Sequence, residues 1–80
     1  MRSPQVGDRV RLIRPVDIDG VSGPAVGVTG VVLSLEREPS AETVALWRVQ
    51  FDDFRGQLDP AWPAGVWIVG SDEVNVIPVP

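Results

Sequence analysis

Glycine and proline cut this chain into short valine-rich runs, and their spacing limits the fold more than any other feature. There are eight of each in 80 residues. The longest stretches free of both are 31–38 and 40–55. Proline removes a backbone donor and clashes with the preceding helical turn, and glycine weakens a helix interior, so helices of ordinary length find little room. Valine is β-branched and packs well on a pleated surface, so the runs between breakers read as strands.

Five strands are expected. The first covers 8–14, with Val10 and Leu12 on one face and Arg9 and Arg11 on the other. Pro15 ends it, because the residue before a proline is held extended and proline cannot donate to a ladder. Residues 16–26 are expected to form an irregular loop crowded with turn formers, among them Asp17, Asp19, Gly20 and Gly23. The second strand covers 28–35. Both of its faces are apolar; Val32 is assigned inward, and Gly30 marks a sharp bend or a close backbone crossing. A polar connection at 36–41 follows, and then the best-formed strand, 43–52. There Ala45, Trp47, Val49 and Phe51 alternate with Val44, Leu46, Arg48 and Gln50. The first set is the expected core face, with Trp47 and Phe51 filling the middle and Arg48 and Gln50 in solvent. A tight turn is expected at 52–56 and a loop at 57–64. Short strands at 66–69 and 74–77 flank a single turn, and Pro78 and Pro80 close the chain. The expectation is an all-β fold in one domain, its core running from Val6 to Ile77. Five antiparallel strands would close into a small barrel and hide their own edges.

Composition removes several kinds of chemistry. The chain has no cysteine and no histidine. Disulfides, zinc–thiolate centres, thiol nucleophiles and imidazole bases are therefore excluded, and no cofactor is expected. Seven basic residues, all arginine, stand against eleven acidic ones for a net charge of -4. That balance disfavours a phosphate-coated partner and suits a basic protein partner. No apolar run approaches the ~18 residues of a membrane span, and residues 1–5 lack the apolar middle of a signal peptide. A soluble cytoplasmic protein without a membrane partner is expected.

Four segments carry a resemblance. Gly7-Asp8-Arg9-Val10-Arg11-Leu12, Gly27-Val28-Thr29-Gly30-Val31-Val32, Trp47-Arg48-Val49-Gln50-Phe51-Asp52 and Asp72-Glu73-Val74 follow one another in an order that resembles small bacterial SH3-like barrels. That group includes uncharacterised bacterial and phage-associated proteins. Related barrels occur in the KOW modules of ribosomal and transcription proteins, the photosystem I accessory subunit, the variable chain of ferredoxin–thioredoxin reductase and the barrel domain of the nitrile hydratase β chain. The resemblance spans most of the chain and implies an SH3-like barrel acting as an accessory or binding module, with no catalytic residue attached. The chain also departs from the pattern of the proteins it resembles. It is acidic where RNA-contacting KOW modules are basic. It has no tyrosine, whereas domains that bind proline-rich peptides carry a tyrosine-rich groove.

The candidate sites follow from residue chemistry. Trp62 lies between Pro60 and Pro63, which stiffen its surroundings, and tryptophan is over-represented among binding hot spots. Its bland alternative is a lid folded over one end of the barrel. Asp17, Asp19 and Asp53 add acidic loop positions, so a partner surface joining the 16–26 loop to the Trp62 loop is expected, recognising a protein of basic charge. Trp47 and Trp67 fall on apolar strand phases and are assigned to core or half-core positions. Arg9, Arg11 and Arg14 form a basic stripe that Arg48 could join, which supports an alternative nucleic-acid-binding module of the KOW type. Its bland alternative is cross-strand pairing with Asp or Glu. A third reading is a structural subunit whose outward Val31, Leu33, Val44 and Leu46 are covered by another chain. The aspartates around 52–59 lack the mid-loop glycine and terminal glutamate of a calcium loop, so no metal is expected. No paired-carboxylate cleft is expected in so small a barrel. The glycines at 20, 23, 27 and 30 lack the lysine of a phosphate loop.

Overall fold

A computed structural model describes residues 3–78; Met1, Arg2, Val79 and Pro80, and with them the expected closing role of Pro80, lie outside the described residues. The strands are β1 (Arg9–Leu12), β2 (Asp17–Ile18), β3 (Val21–Ser22), β4 (Thr29–Arg37), β5 (Leu46–Phe51), β6 (Val66–Gly70) and β7 (Val74–Val76). Every pairing is antiparallel. The fold is all-β, and among the described residues no helix is long and apolar enough to cross a membrane.

Five strands form one sheet in the order β6-β5-β4-β1-β7, and β2 and β3 form a separate two-stranded ladder. The expected closed barrel is not formed, because β6 and β7 are the two edges of the sheet and do not pair. The cause lies in the connection between them. Only residues 71–73 separate β6 from β7, so the two edges approach within about 15 Å of chain reach. Yet the turn is used to change partners. Ser71 N–H donates to Ala45 O at 3.0 Å, on the β5 side, while Ile13 N–H donates to Glu73 O at 2.9 Å, on the β1 side. Glu73 N–H closes the turn on Gly70 O at 3.0 Å. The sheet therefore curls strongly but leaves a seam where a ladder would be.

The loop expected to be irregular contains a hairpin. Asp17 pairs with Ser22 and Ile18 with Val21. Asp19 (φ 50°) and Gly20 (φ 80°) both adopt left-handed backbone. A two-residue Asp-Gly link of this kind matches the right-handed twist of the strands it joins. The hairpin is short because Pro15 and Pro24 flank it and cannot donate.

The core face carries Val10, Leu12, Val32, Val49, Phe51, Trp67, Val69 and Val74, all at most 3% exposed. Register explains the set: Val32, Val49 and Trp67 lie opposite one another across β4, β5 and β6. Trp67, rather than Trp47, fills the middle beside Phe51. Trp67 is fully buried, and Phe54 meets it edge-on with ring centroids 5.8 Å apart and planes at 84°. Trp47 is half-buried at the far end of β5. Gly30 marks a close crossing, as expected from its mid-strand position. A side chain there would begin 2.5 Å from the Gln50 carbonyl.

β4 does not keep simple alternation along its length. Its register against β5 slips between Val32 and Ser34 and again between Leu35 and Arg37, leaving Leu33 and Glu36 as extra residues. Such bulges bend a strand and re-aim the side chains beyond them. Val32 lies opposite Val49 on the core face, but Leu35 lies opposite Trp47 on that face as well. An unbroken alternation puts Leu35 on the opposite face from Val32.

Candidate functional site

The outer face of β5 is where the sequence-nominated aromatic and basic residues meet. Arg48 and Gln50 share that face with Val66 and Ile68 of β6, their cross-strand partners. The 52–65 connection folds back over it. Gln50 Nε2 donates to Ala64 O at 2.8 Å, and Gln57 Nε2 donates to Trp62 O at 2.9 Å. The turn at Pro60 is set by Asp59, whose Oδ1 accepts from Ala61 N–H at 2.8 Å and whose carbonyl accepts from Trp62 N–H at 2.9 Å. Beneath this cover Val66 is 1% exposed although it lies outside the main core cluster.

Trp62 is half-exposed, and the guanidinium of Arg48 stacks on its ring, 4.2 Å from the centroid. A cation over an indole face is attracted by the ring quadrupole. Arg48 Nη2 also donates to Glu36 Oε2 at 2.7 Å. Glu36 is the extra residue of the second β4 bulge, so a local slip in register supplies the anion that orients the arginine. Arg48 Nε, by contrast, is buried with no hydrogen-bond partner. Trp62 thus folds back onto the sheet's outer face, a different place from a barrel end. Its rigid seat is built from Arg48 below and from Gln57 and Asp59 at its own backbone.

The other nominated residues are dispersed. Pro60 and Pro63 are exposed beside Trp62. Asp53 is exposed at φ 52° just past β5, in the same connection, and lines a shallow polar cleft of about 350 Å³ with Phe54, Arg55 and Ala64. Asp17 and Asp19 are exposed on the β2–β3 hairpin. The base of that loop seats on the core face: a side chain added at Gly23 would begin 2.7 Å from a Val16 methyl and 2.8 Å from Trp67 Nε1. Trp62 stands on the opposite face of the same β5–β6 pair. No hydrogen bond or ion pair joins the two loops among the described residues.

The basic stripe is largely neutralised within the molecule. Arg9 Nη2 donates to Asp52 Oδ2 at 2.5 Å and to Thr29 Oγ1 at 3.1 Å, and Thr29 Oγ1 donates to Asp52 Oδ2 at 2.7 Å. Asp52 also reaches Thr29 through its backbone, N–H to O at 2.8 Å. This latch ties β1, β4 and the end of β5 together. The Thr29 hydroxyl first, and the Arg9 guanidinium after it, hold the Asp52 carboxyl below its ordinary value of 3.8. Arg14 lies 3.7 Å from Asp72, and Arg48 is paired with Glu36. Arg11 is exposed on β1 and faces no carboxylate among the described residues.

Of the outward apolar residues, Leu33 and Val44 are exposed at 42% and 40%, whereas Val31 and Leu46 are half-buried. Sequence reasoning missed Phe54, Glu36, Gln50 and Gln57, which position the site. Phe54 lies in a stretch without periodicity, Glu36 owes its role to cross-strand register, and Gln50 and Gln57 owe theirs to the folding back of the 52–65 connection, none of which alternation reports. No family model matches this chain, and no curated protein or solved structure matches it.

Proposed function

We propose that this chain is a non-catalytic protein-binding or accessory module with an SH3-like arrangement of strands, and that its partner is a basic protein. The mounting of Trp62 carries the reading. A large aromatic is held half-exposed on a proline-flanked turn, stacked on Arg48 at 4.2 Å. Such a side chain offers much contact area and loses little conformational freedom on binding. Asp53 extends the same connection with an exposed negative charge, and the net charge of -4 favours encounter with a basic surface. The SH3-like part of the reading is supported by strand order, since the last strand pairs with the first and a hairpin-bearing loop separates β1 from β4.

The test is affinity capture from cell extract with the wild-type chain and with Trp62→Ala. The expected result is loss of the captured basic protein from the variant while its melting temperature stays near that of the wild type. An unchanged set of captured proteins removes Trp62 from the site. The nucleic-acid alternative draws less support, because three of the four arginines nominated for it, Arg9, Arg14 and Arg48, each face a carboxylate. It predicts DNA or RNA binding whose affinity falls steeply as salt rises.

A further inference from the structure

A second surface lies beside Trp47, on the opposite face of β5 from Arg48 and the Trp62 ring stacked on it. The first β4 bulge, at Leu33, brings Leu35 opposite Trp47. The 38–45 connection then folds beside them and leaves a groove of about 600 Å³. Its apolar floor is Leu35, Val44, Trp47 and Pro39. Leu35 and Val44 are 41% and 40% exposed, large values for aliphatic side chains lining a concave surface. The groove wall is preformed: Ser40 N–H donates to Thr43 O at 2.9 Å, and the two hydroxyls bond at 2.8 Å.

The rim is acidic. Glu38 lines the groove directly. Next to the groove, beside Ser71 and Val44 of its lining, the carboxylates of Asp72 and Glu73 and a Val44 methyl all lie within 3.3 Å of where a Gly70 side chain would begin. Glu73 is fixed there by accepting from Gly70 N–H at 2.6 Å, and Asp72 is only loosely engaged by Arg14 at 3.7 Å. Glu42 adds a further exposed carboxylate in the connecting loop. Among the described residues, none that lines the groove is basic.

We propose that this groove binds a peptide segment of a partner protein in which an aliphatic anchor is flanked by arginine or lysine. The anchor would lie on Leu35, Val44 and Trp47, and its basic flanks would meet Glu38 and the Asp72 and Glu73 pair. This inference rests on the binding-module reading but places a contact on the other face of β5 from Trp62, so a partner engaging both surfaces would gain by linkage of two weak contacts. The volume lies within the range of about 300–1,000 Å³ typical of ligand-binding clefts. A basic occupant is required because an acidic or neutral one would leave the rim carboxylates to repel it or to lose water without compensation.

The experiment is a titration of isotope-labelled protein followed by amide and indole NMR signals. The probes are three synthetic peptides of equal length. One has a central Leu-Val pair with arginine on both sides, one has glutamate in place of each arginine, and one keeps the arginines with alanine at the centre. With the first peptide, the Trp47 indole signal and the amides of Thr43, Val44 and Ser71 should move and saturate. The second and third should bind at least about tenfold more weakly. Leu35→Ser and Glu38→Lys alter exposed side chains and should each weaken the first peptide by about tenfold or more with the rest of the spectrum unchanged. Equal binding of the glutamate peptide, or no movement of the groove signals up to about 1 mM peptide, overturns the proposal. Movement centred instead on Trp62 and Arg48 also overturns it, while leaving the binding-module reading in place.

Discussion

The two long connections of this sheet are held by different kinds of interaction. Residues 13–28 are organised by backbone. They fold their own hairpin around Asp19 and Gly20, return Gly27 N–H to Leu12 O at 2.8 Å, and pack Gly23 against Trp67 with no space to spare. Residues 52–65 contain no strand and, apart from a few turn bonds such as Gly65 N–H to Gly56 O at 2.9 Å, are organised by side chains. Phe54 and Leu58 pack against the core, Gln50 and Gln57 hold the returning backbone, and Trp62 lies on Arg48 outside. A loop made by backbone geometry tolerates changes in exposed side chains but not an added methyl at its contact point. A loop made by side chains should show the opposite sensitivity. Trp67 touches both, through Gly23 on one side and Phe54 on the other.

That shared contact sets the order of effects. Trp67→Ala removes the support of both loops at once and should cost about 3–5 kcal/mol, a large part of the roughly 5–15 kcal/mol of a typical domain. Urea unfolding should find little cooperative transition left, and a midpoint close to wild type would refute the central role of Trp67. Gly23→Ala should cost about 1–3 kcal/mol through overpacking against Val16 and the indole. Phe54→Leu keeps bulk but loses the edge-on ring pair, for about 0.5–1.5 kcal/mol. Chemical denaturation of both variants ranks them, and a larger loss at Phe54 would reverse the contrast between the loops. Trp62→Ala should cost no more than about 1 kcal/mol, the scale of an exposed cation–aromatic contact. A large drop in its melting temperature would make Trp62 a structural residue.

The smallest effect belongs to the Asp52 latch and appears only with pH. A carboxyl whose pKa is lowered in the folded state stabilises that state above its ordinary value of 3.8 and loses the contribution as pH falls through the folded value. Asp52→Asn should therefore melt below the wild type near neutral pH, and the two melting curves should converge in strong acid. Parallel curves across the whole range would mean that the ionised carboxylate contributes nothing.

Much of the sheet was legible in the residues. Val49 and Phe51 announce their face by alternation, and Val32 and Gly30 behave as their positions suggest, whereas β1 ends at Leu12, short of the expected stop at Pro15. The failures have particular causes. In β4, apolar residues on both phases conceal two bulges, so the turning of Leu35 toward Trp47 leaves no mark in the pattern. Asp19-Gly20 is a strong hairpin signal, but the strands it joins are only two residues long and lie among so many turn formers that they read as loop. Closure failed for a topological reason, since a turn that changes partners looks like an ordinary turn in sequence. Trp62 stands out in the sequence through its flanking prolines, yet its seat depends on Arg48 and Glu36, which are distant in the chain and brought together by register alone.

The pairing of the last strand with the first also dictates when the molecule can form. β1 finds β4 within about twenty positions, but Val10 must wait for Val76 before its second ladder exists. Contacts so far apart along the chain carry a large loop-closure entropy and slow folding. A nascent chain that has not yet delivered Val74–Val76 would expose one side of Arg9–Leu12 and leave Leu12 without its partner Val74. The sheet is therefore completed only once Val74–Val76 is available, and the interval before that is when an unpaired strand is most open to association with other chains.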